Sequence, residues 1–451
     1  MTPRFGTDGV RASADELTDA FVAALGRAAA KVLGGSDGFL IGRDTRLSGP
    51  RLELALASGM AAAGADPQSL GVVPTPAVAW ASAARDVPGA VISASHNPWS
   101  DNGIKFFAAG GRKLADDVEQ ELESVLDELL AAAPPVTLLD SVAPTAPPGG
   151  DAWLDAVVAS LDGRRLDGLR VVIDCANGAS SAFAGSGLRR LGAEVDVLHA
   201  DPDGRNINDR CGSTHPEDLQ QAVVAAGATV GLAFDGDADR VLAVDETGRL
   251  IDGDHLIALF AADLRDRGHL RHDQVVVTVM TNLGFRLAMA ERGIDVVETG
   301  VGDRQVLAAL EQTGGSLGGE QSGHVVFADL ATTGDGLLSG VQLLDLLVRS
   351  SAPLSQLADG VMTQLPQVLV NVRVEARRAD IAEAMADEIA AEEAALGGKG
   401  RVLVRPSGTE PLVRVMVEAE RQETAEAVAR RLAEVARARC EGGNSSGPPQ
   451  P

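Results

Sequence analysis

Cysteine is scarce in this chain of 451 residues, which contains three, Cys175, Cys211 and Cys440. Their number is odd, they are widely spaced, and no two of them form a CxxC pair. Neither a disulfide framework nor a zinc site is therefore indicated. We expect all three to remain thiols.

Long apolar runs and stretches of positive charge are also missing. The longest nearly uncharged apolar run, residues 222–234, is far shorter than the ~20 residues that span a bilayer, and no apolar signal segment opens the chain. We therefore expect a cytoplasmic protein that binds no membrane. The formal net charge of −25 argues against nucleic acid as a partner as well. A small anionic substrate is not excluded, because a local arginine cluster can dominate the charge of a cleft.

What the sequence does contain is enough apolar material for several domains. Hydrophobic residues make up 45% of the chain, whose length exceeds what one core usually organises. Three times, a strand-like run is followed by a turn and an amphipathic helix, which indicates α/β layers. These strand and helix pairs are 38–42 with 51–64, 170–174 with 180–191, and 275–280 with 283–292.

Changes in composition predict where the domains begin and end. A linker rich in Pro, Ala and Gly, residues 132–151, follows an acidic helix at 116–130. After the strand that begins near residue 366, one long helix is expected at 379–396. The predicted segments are three similar mixed-sheet α/β domains at 1–150, 151–252 and 253–365, a smaller C-terminal α+β domain at 366–440, and a disordered tail at 441–451.

The first candidate for chemistry is a strand that ends in polar residues, Ser93-Ala94-Ser95-His96-Asn97-Pro98. Ser95 stands at the apex of the loop, rigidly held yet exposed, which suits a nucleophile or a phosphate carrier. An Asn-Pro turn with satisfied hydroxyls is the alternative. A hydrolase triad fits poorly, because on an extended backbone His96 points away from Ser95. The GxSxG match at residues 314–318 lacks the helix that should follow its serine.

The second candidate is a set of three carboxylates, Asp235, Asp237 and Asp239, at alternate positions after a strand. In an extended loop, alternation places the three side chains on one side, where their oxygens suit Mg²⁺. Like charges so close repel one another unless a cation lies among them. A calcium loop ending at Glu246 is the rival interpretation, but Arg240 stands where that loop needs glycine, and its flanks have the pattern of strands. A solvated acidic turn is a further alternative.

The third candidate is the glycine-rich segment 318–324, which presents Glu320, Ser322 and His324. Their acceptors and donors suit sugar hydroxyls, each of which gives and accepts a hydrogen bond. A plain glycine-rich turn before a strand is the alternative.

The fourth candidate is the segment 405–411, with Arg414 beyond it. Flanking arginines, a glycine turn and two hydroxyls form a cradle that fits a phosphate dianion. The arginines are conspicuous because the chain has four lysines in all. A surface turn paired with Glu410 is the alternative.

Taken in order, the four loops resemble the signature loops of the α-D-phosphohexomutases, over nearly the whole chain. Further segments, 5–11, 101–107, 211–215 and 366–374, together with Gln321, are typical of bacterial members that act on glucosamine phosphates. The resemblance implies four domains around one cleft, each contributing one loop. It leaves the oligomeric state open, with a homodimer as one option.

The resemblance also implies a reaction. Phosphorylated Ser95 would give its phosphoryl group to O1 of glucosamine 6-phosphate, the 1,6-bisphosphate would turn around, and Ser95 would take back the group on O6. The product, glucosamine 1-phosphate, would feed UDP-N-acetylglucosamine and cell-wall precursors. One Mg²⁺ per subunit would bridge the three aspartates and the serine phosphate, and glucosamine or glucose 1,6-bisphosphate would serve as an activator. The partner is thus a small phosphosugar.

By position, the resemblance assigns roles to the residues of these loops. Lys105 would be a proton shuttle or a phosphoryl-binding cation, and Arg11 and His96 would line the phosphoserine pocket. Ser95, Asp235, Asp237 and Asp239 would be the metal ligands. The residues assigned to substrate are Arg240, Arg304, Glu320, Ser322 and His324, and those assigned to the phosphate that does not react are Arg405, Ser407, Gly408, Thr409 and Arg414.

Three positions depart from the family pattern. Where relatives have lysine and tyrosine, the segment 300–305 begins with Gly300 and ends with Gln305, so a cationic contact is missing unless Arg304 replaces it. Ala12 stands where glycine is usual. A mutase of mannose or glucose phosphates is the alternative enzyme, and a non-catalytic phosphosugar-binding protein is the alternative from another class. The intact serine and aspartates argue against the latter.

Overall fold

The computed structural model describes residues 3–6, 8–133, 135–145, 149–374, 378–406 and 412–441. The chain forms two compact units, the first of residues 1–280 and 292–361, the second of residues 281–291 and 362–451. The predicted tail beyond residue 441 and the loop residues 407–411 lie outside the described residues. Within the described part we find no helix whose length and apolar character would let it span a bilayer.

The first sheet of the larger unit is mixed. The elements at this end of the chain are β1 (Val10–Ser13), α1 (Asp19–Leu33), β2 (Phe39–Arg43), α2 (Gly49–Ala62), β3 (Pro67–Val72), α3 (Thr75–Arg85), β4 (Gly89–Ile92), β5 (Asp101–Ala108), β6 (Arg112–Lys113), α4 (Asp116–Ala132) and β7 (Ala143–Pro144). The strand order is β1-β5-β4-β2-β3-β7, with β6 beside β5. Strands β4, β2, β3 and β7 are parallel to one another, whereas the pairs β4–β5, β5–β1 and β5–β6 are antiparallel. The predicted linker thus contributes β7 to this sheet.

Helices α1 and α2 pack at unusually close range. A side chain at Gly59 would overlap the carbonyl of Ala23, and one at Gly26 would overlap the carbonyl of Leu56. Small residues at both positions let the two backbones touch, which no larger pair allows. The contact fixes the helices that lie on either side of β2 in the sequence.

The second sheet repeats the mixed pattern. Its elements are α5 (Gly149–Ala159), β8 (Arg170–Asp174), α6 (Ala184–Arg190), β9 (Glu194–Leu198), α7 (Glu217–Ala226), β10 (Val230–Phe234), β11 (Val241–Asp245) and β12 (Leu250–Ile251), in the sheet order β12-β11-β10-β8-β9. The helix predicted at 180–191 is divided into a 3₁₀ turn (Ala179–Ala182) and α6. Phe183 lies between them with φ −115°, outside ideal helical geometry, so the two pieces do not join.

The third sheet has the order β14-β13-β15-β16, of which the last pair is antiparallel. Its elements are α8 (Gly253–Asp266), β13 (Gln274–Thr278), β14 (Asp295–Thr299), α10 (Asp303–Thr313), β15 (Leu317–Gly319), β16 (Val325–Phe327), α11 (Gly336–Ser350) and α12 (Leu354–Val361). Asp252 and Asp335 cap α8 and α11 by accepting the N–H groups of His255 and Leu338.

The second unit contains a three-stranded antiparallel sheet in the order β17-β19-β18. Its elements are α9 (Leu283–Glu291), β17 (Gln367–Arg373), α13 (Ile381–Ala384), α14 (Ala386–Leu396), β18 (Gly400–Pro406), β19 (Leu412–Ala419) and α15 (Gln422–Glu441). The expectation of one helix at 379–396 is wrong, because the chain breaks at Met385 (φ −114°, ψ 14°), which is buried in the core of this unit.

Three mixed sheets with their helices, followed by a small antiparallel sheet with helices, confirm the predicted fold class. The strands predicted at 38–42, 170–174 and 275–280 are all present. The second has the predicted bounds, and the other two differ from them by one or two residues at their ends. The four domain boundaries stay a prediction.

Candidate active site

Ser95 follows β4 in a tight loop that gives it an unusual backbone. Its φ is +52°, in the left-handed region that residues with a side chain seldom occupy. The N–H of Ser95 donates to Ser93 Oγ (2.9 Å), and Ser93 Oγ donates to Asp44 Oδ2 (2.6 Å). Ser93 is therefore committed to holding the loop. Ser95 Oγ is turned the other way and donates to Asp235 Oδ2 (2.6 Å).

The three aspartates of the second loop converge. Asp235, Asp237 and Asp239 are buried, and their ligand atoms all lie within 4.8 Å of one another. The expected route to this arrangement is wrong, however. The loop is a turn rather than an extended segment, and Ala238, with φ +55°, reverses the chain between the second and third carboxylates. The flanking elements are β10 and β11, and Glu246 bonds Ser355 instead, so no calcium loop is present here.

Lysine supplies the nearest positive charge to these carboxylates. The ammonium of Lys105, on β5, lies 2.9 Å from Asp237 Oδ2, 3.2 Å from Asp8 Oδ2 and 3.6 Å from Asp239 Oδ2. Burial would lower the pKa of Lys105, but these carboxylates outweigh it and raise the pKa well above the ordinary lysine value. Lys105 is thus a fixed cation in this site.

The carboxylates themselves divide into two kinds. Burial and repulsion from Asp239 and Asp237 raise the pKa of Asp235 well above its usual range. Burial also acts to raise the pKa of Asp239, but Lys105 and His324 overcome it and hold that pKa well below its usual range. The neighbouring cations thus offset burial at Asp239, whereas they do not offset the burial and repulsion that act on Asp235.

The arrangement fits a hard divalent cation. Among the described residues, Asp237 Oδ1 and Asp239 Oδ1 are buried oxygens that find no hydrogen-bond partner. A buried carboxylate oxygen without a partner is unfavourable unless something else neutralises it. The three aspartates offer only oxygen ligands, which are the type that Mg²⁺ prefers.

His96 does not point away from Ser95, as an extended backbone would require. With the left-handed turn at Ser95, His96 Nδ1 comes within 3.4 Å of Ser95 Oγ and 3.3 Å of the Arg240 guanidinium. Burial, then Arg240 and Arg11, lower the pKa of His96 to about 4. A triad needs a carboxylate behind its histidine, whereas a guanidinium contacts this one. The hydrolase interpretation therefore fails for a different reason than the one expected.

Asp8 joins the remaining basic residues of this region. It accepts from Lys113 Nζ (2.7 Å) and Arg11 (3.3 Å), and Lys113 also pairs with Asp303. Burial acts to raise the pKa of Asp8, but Lys105 and Lys113 overcome it and lower the pKa far below its usual range. Arg11 thus lies at the edge of the cluster, attached to Asp8.

The residues of the third loop are partly engaged with the protein itself. Glu320 accepts the N–H of Gly302 (3.0 Å), and Ser322 Oγ lies 3.5 Å from Glu320 Oε2. His324 is 1% exposed, with Nδ1 3.7 Å from Asp239 Oδ2 and Nε2 accepting the N–H of Gly334. His324 is thus packed behind the aspartates, while Glu320 and Ser322 are half-buried.

Arg304 is also engaged. Its guanidinium bonds Asp116 Oδ1 (2.7 Å) and pairs with Glu119, both on α4. Arg304 was expected to replace the cation that is missing at Gly300. In the structure its guanidinium lies against α4 instead.

In the second unit, Arg405 and Arg414 face each other across neighbouring strands, in register. Burial and then the charge of Arg414 lower the pKa of Arg405. Two like charges held side by side favour an anion between them. The assigned residues Ser407, Gly408 and Thr409 lie outside the described residues.

Five further residues of the site were missed by sequence reasoning, namely Asp8, Arg46, Thr75, Lys113 and Asn208. Thr75 Oγ1 donates to Asp237 Oδ2 (2.6 Å), whereas Arg46 and Asn208 both bond the carbonyl of Ser95. A signal for Arg46 was present, because residues 44–46 form a polar segment directly after the apolar strand β2. Strand β2 runs parallel to β4, so their ends meet at one edge of the sheet.

The cysteines are thiols outside any disulfide, as predicted. One of them, Cys211, nonetheless belongs to a group with Asp174 and His199 whose ligand atoms lie within 4.8 Å of one another. Asp174 already accepts the N–H groups of Ala176 and Gly212 (both 2.9 Å) and pairs with His199. Burial and the charge of Asp174 raise the pKa of Cys211 to about 12. These contacts give the group a role in holding its loops.

Models of one protein family match nearly the whole chain, domain by domain and in chain order. Models of the phosphoglucomutase/phosphomannomutase family match the chain as α/β/α domain I at residues 2–132, domain II at 151–248, domain III at 252–365 and the C-terminal domain at 369–435. The chain belongs to this family, so the predicted resemblance is confirmed.

Individual relatives narrow the comparison. The phosphoglucosamine mutase of Frankia alni is 52% identical over 453 residues, covering 97% of this chain and 99% of the relative. That of Rhodococcus opacus is 51% identical over 416 residues, covering 90% and 93%. Among solved structures, a phosphoglucomutase/phosphomannomutase family protein from Burkholderia thailandensis has a TM-score of 0.79 at 28% identity, covering 97% of each chain. The N-acetylphosphoglucosamine mutase of Aspergillus fumigatus, solved with GlcNAc-6P and magnesium, has a TM-score of 0.70 at 19% identity, covering 97% of this chain and 96% of its own.

Proposed function

We propose that this chain is an isomerase that interconverts glucosamine 6-phosphate and glucosamine 1-phosphate, with Ser95 as the carrier of the phosphoryl group. The observation that carries the proposal is the place of Ser95 Oγ, 2.6 Å from Asp235 Oδ2 and beside three converging carboxylates. Relatives about half identical over nine tenths or more of the chain bear the name phosphoglucosamine mutase. Their name supports an amino sugar as the substrate.

The reaction would proceed in two transfers. In the first, O1 of glucosamine 6-phosphate attacks the phosphorus on Ser95, so the O1–P bond forms as the Oγ–P bond breaks. After the bisphosphate turns around, Oγ attacks the phosphorus on O6, so the Oγ–P bond forms again as the O6–P bond breaks. The proton that leaves the O1 hydroxyl in the first transfer is matched by the one that O6 takes up in the second. Lys105, whose ammonium lies 2.9 Å from Asp237 Oδ2 and 3.2 Å from Asp8 Oδ2, is proposed as a proton shuttle or a phosphoryl-binding cation.

Asp235, Asp237 and Asp239, together with the phosphoserine, would hold one Mg²⁺. When bound, the ion supplies positive charge that offsets the charge of the transferring phosphoryl group. The unpartnered oxygens of Asp237 and Asp239 support this assignment. Glucosamine or glucose 1,6-bisphosphate is proposed as the activator, since a related mutase is solved with glucose 1,6-bisphosphate.

Of the residues assigned to substrate, Arg240, Glu320 and Ser322 are proposed to contact the sugar phosphate directly. Arg240 lies 3.3 Å from His96 beside the serine, and Glu320 and Ser322 are adjacent on the third loop. Arg304 and His324 are proposed as substrate residues too, although both already bond other residues of the protein. Each would contact the sugar either after leaving its present partner or indirectly, through that partner.

Comparing turnover of three substrates tests the choice of sugar. We expect glucosamine phosphates to give a kcat/KM at least about tenfold above that for glucose or mannose phosphates. A site that bonds the amino group of the sugar would have its own polar groups left unpaired by a sugar without one. The measurement is a coupled assay with the 1-phosphates and 6-phosphates at equal concentration. Preference for mannose or glucose would instead favour the alternative enzyme of the family.

Replacing Arg405 by alanine should weaken catalysis in both directions. A charge-assisted hydrogen bond contributes roughly 1.5 to 3 kcal/mol, so kcat/KM should fall about ten- to a hundredfold. Because both orientations of the bisphosphate would present a phosphate to Arg405, the loss should be similar for glucosamine 6-phosphate and glucosamine 1-phosphate. Steady-state kinetics in each direction measures it.

Arg430→Ala provides the matched control for Arg405→Ala. Arg430 is an arginine of the same unit, exposed on α15 and paired with Glu426. It should behave as the unaltered protein does. An unchanged kcat/KM for Arg405→Ala in both directions would show that segment 405–411 is a surface turn.

A further inference from the structure

We infer that Arg46 and Asn208 are positioning residues that hold the backbone of Ser95 in place throughout the reaction, an inference that rests on the proposed function of Ser95. Both side chains reach the same two carbonyl groups, those of Ser95 and Asn97, from different parts of the larger unit. Neither residue touches the reacting oxygen.

Arg46 uses both of its terminal nitrogens on this loop and its Nε on Asp44. Its Nε donates to Asp44 Oδ2 (2.8 Å), one terminal nitrogen donates to the carbonyls of Pro98 and Asp101, and the other donates to the carbonyls of Ser95 and Asn97 (both 2.9 Å). A guanidinium has five N–H groups in a fixed plane, and here each has an acceptor. Arg46 is 1% exposed, so water does not compete for these hydrogen bonds.

Asn208 meets the same carbonyls from the second sheet's loops. Its Nδ2 lies 2.8 Å from the carbonyl oxygen of Ser95 and 3.0 Å from that of Asn97, so its two hydrogens serve one acceptor each. Asn208 is 9% exposed. The carbonyls of Ser95 and Asn97 thus each accept one hydrogen bond from Arg46 and one from Asn208.

Gly236 leaves room for this arrangement. A Cβ at Gly236 would lie 2.6 Å from the Ser95 carbonyl oxygen and 2.9 Å from Asn208 Nδ2. Because Gly236 stands between Asp235 and Asp237, the same close approach brings the aspartate loop against the serine loop. Arg46 and Asn208, together the clamp, therefore set the distance between Ser95 Oγ and the carboxylates.

The loop that carries Asn208 is itself braced. The N–H of Asn208 donates to the carbonyl of Ala176 (2.9 Å), and Asp174 accepts from the N–H groups of both Ala176 and Gly212 (2.9 Å each). His199 pairs with the same carboxylate. This use accounts for the Asp174, His199 and Cys211 group as a brace behind Asn208.

The reaction explains why such a clamp is useful. Ser95 loses its phosphoryl group in one transfer and regains it in the next, so Oγ must keep its position while the substrate turns around. A left-handed serine without these bonds would relax to the commoner extended region. The clamp should therefore affect both directions equally, and affect kcat rather than substrate affinity.

The test is Asn208→Ala, measured in both directions with glucosamine 6-phosphate and glucosamine 1-phosphate. We expect kcat to fall about tenfold or more in each direction with KM within about twofold, because the substrate does not contact Asn208. The melting temperature should change by no more than a few degrees, since Arg46 still bonds both carbonyls.

Asn208→Asp separates positioning from packing. The two side chains have the same shape, but a carboxylate would direct oxygen at two carbonyl oxygens. Positioning predicts a larger loss of kcat for Asn208→Asp than for Asn208→Ala, whereas a packing role predicts the reverse. Asn206→Ala is the matched control, because Asn206 lies on the same loop and bonds Asp201 and Asp203 without reaching Ser95.

Amide hydrogen exchange gives a readout that needs no turnover. Exchange of the amides in residues 95–101 should accelerate in Asn208→Ala and not in Asn206→Ala. If the unaltered protein converts neither glucosamine phosphate, the proposed function is wrong, and the clamp is judged by exchange alone. Unchanged exchange, an unchanged kcat, or equal losses in Asn206→Ala would each overturn the inference.

Discussion

Replacing Ser95 by alanine should abolish turnover, with a fall of at least about a thousandfold in kcat. The hydroxyl is the group that would hold the phosphate between the two transfers, and the structure offers no second hydroxyl in its place among the described residues of the loop. Ser93 Oγ is already bonded to Asp44 and to the N–H of Ser95. Intact mass spectrometry should show one phosphate on the unaltered chain and none on Ser95→Ala.

Ser100→Ala is the matched control for the serine. It removes a hydroxyl from an exposed position of the same loop and should leave both the phosphate and the turnover unchanged. Phosphopeptide mapping decides between neighbours. A functional phosphate found on Ser93 would contradict the assignment to Ser95.

Replacing Asp237 by asparagine should leave the protein folded and lower kcat by about a hundredfold or more. Asn keeps the size of the side chain, and its oxygen can still accept from Thr75 or Lys105, which now bond Asp237 Oδ2. The loss of one of three carboxylates weakens the site for the cation, whose contribution to phosphoryl transfer is typically several kcal/mol. Turnover as a function of Mg²⁺ concentration measures the effect, and excess EDTA should abolish the activity of the unaltered protein.

Asp245→Asn is the control with the opposite expectation. Asp245 is a buried carboxylate at the end of β11, where it accepts from Thr247 and Arg249. Burial acts to raise its pKa, but these hydrogen bonds lower it, so the charged form is stabilised in the folded protein. Asp245→Asn should lower the melting temperature and leave the Mg²⁺ dependence alone. A rate that survives EDTA would show that the three aspartates have no metal role.

Much of the fold was predictable because its strands are continuous apolar runs. Strands β2, β8 and β10, for example, are buried over most of their length, and each ends where polar residues begin. The same boundary drew attention to Ser95 and to Asp235. Patterns that repeat every two residues or end abruptly are local properties of a sequence, which is why these elements could be found.

What could not be predicted depends on contacts between distant residues. Asn208 bonds the Ser95 carbonyl across 113 positions of the chain, and its own loop has no strand or helix to announce it. The prediction that His96 points away from Ser95 was wrong for a related reason. It assumed an extended backbone, whereas Ser95 has a left-handed conformation that we infer is held by the bonds from Arg46 and Asn208. The break at Met385 likewise reflects burial in the core of the second unit, whereas the local sequence continues as a helix former.

The contact between α1 and α2 limits how this protein can be redesigned for stability. Exchanging a helical glycine for alanine is a standard stabilising change, since alanine favours a helix by about 1 kcal/mol over glycine. At Gly26 and Gly59 the new methyl group would meet a backbone carbonyl of the other helix, and a backbone cannot rotate aside as a side chain can. The two helices would have to move apart. Since residues 44–48 join the end of β2 to α2, that movement would also displace Asp44 and Arg46. A thermostabilising library should therefore keep both glycines fixed.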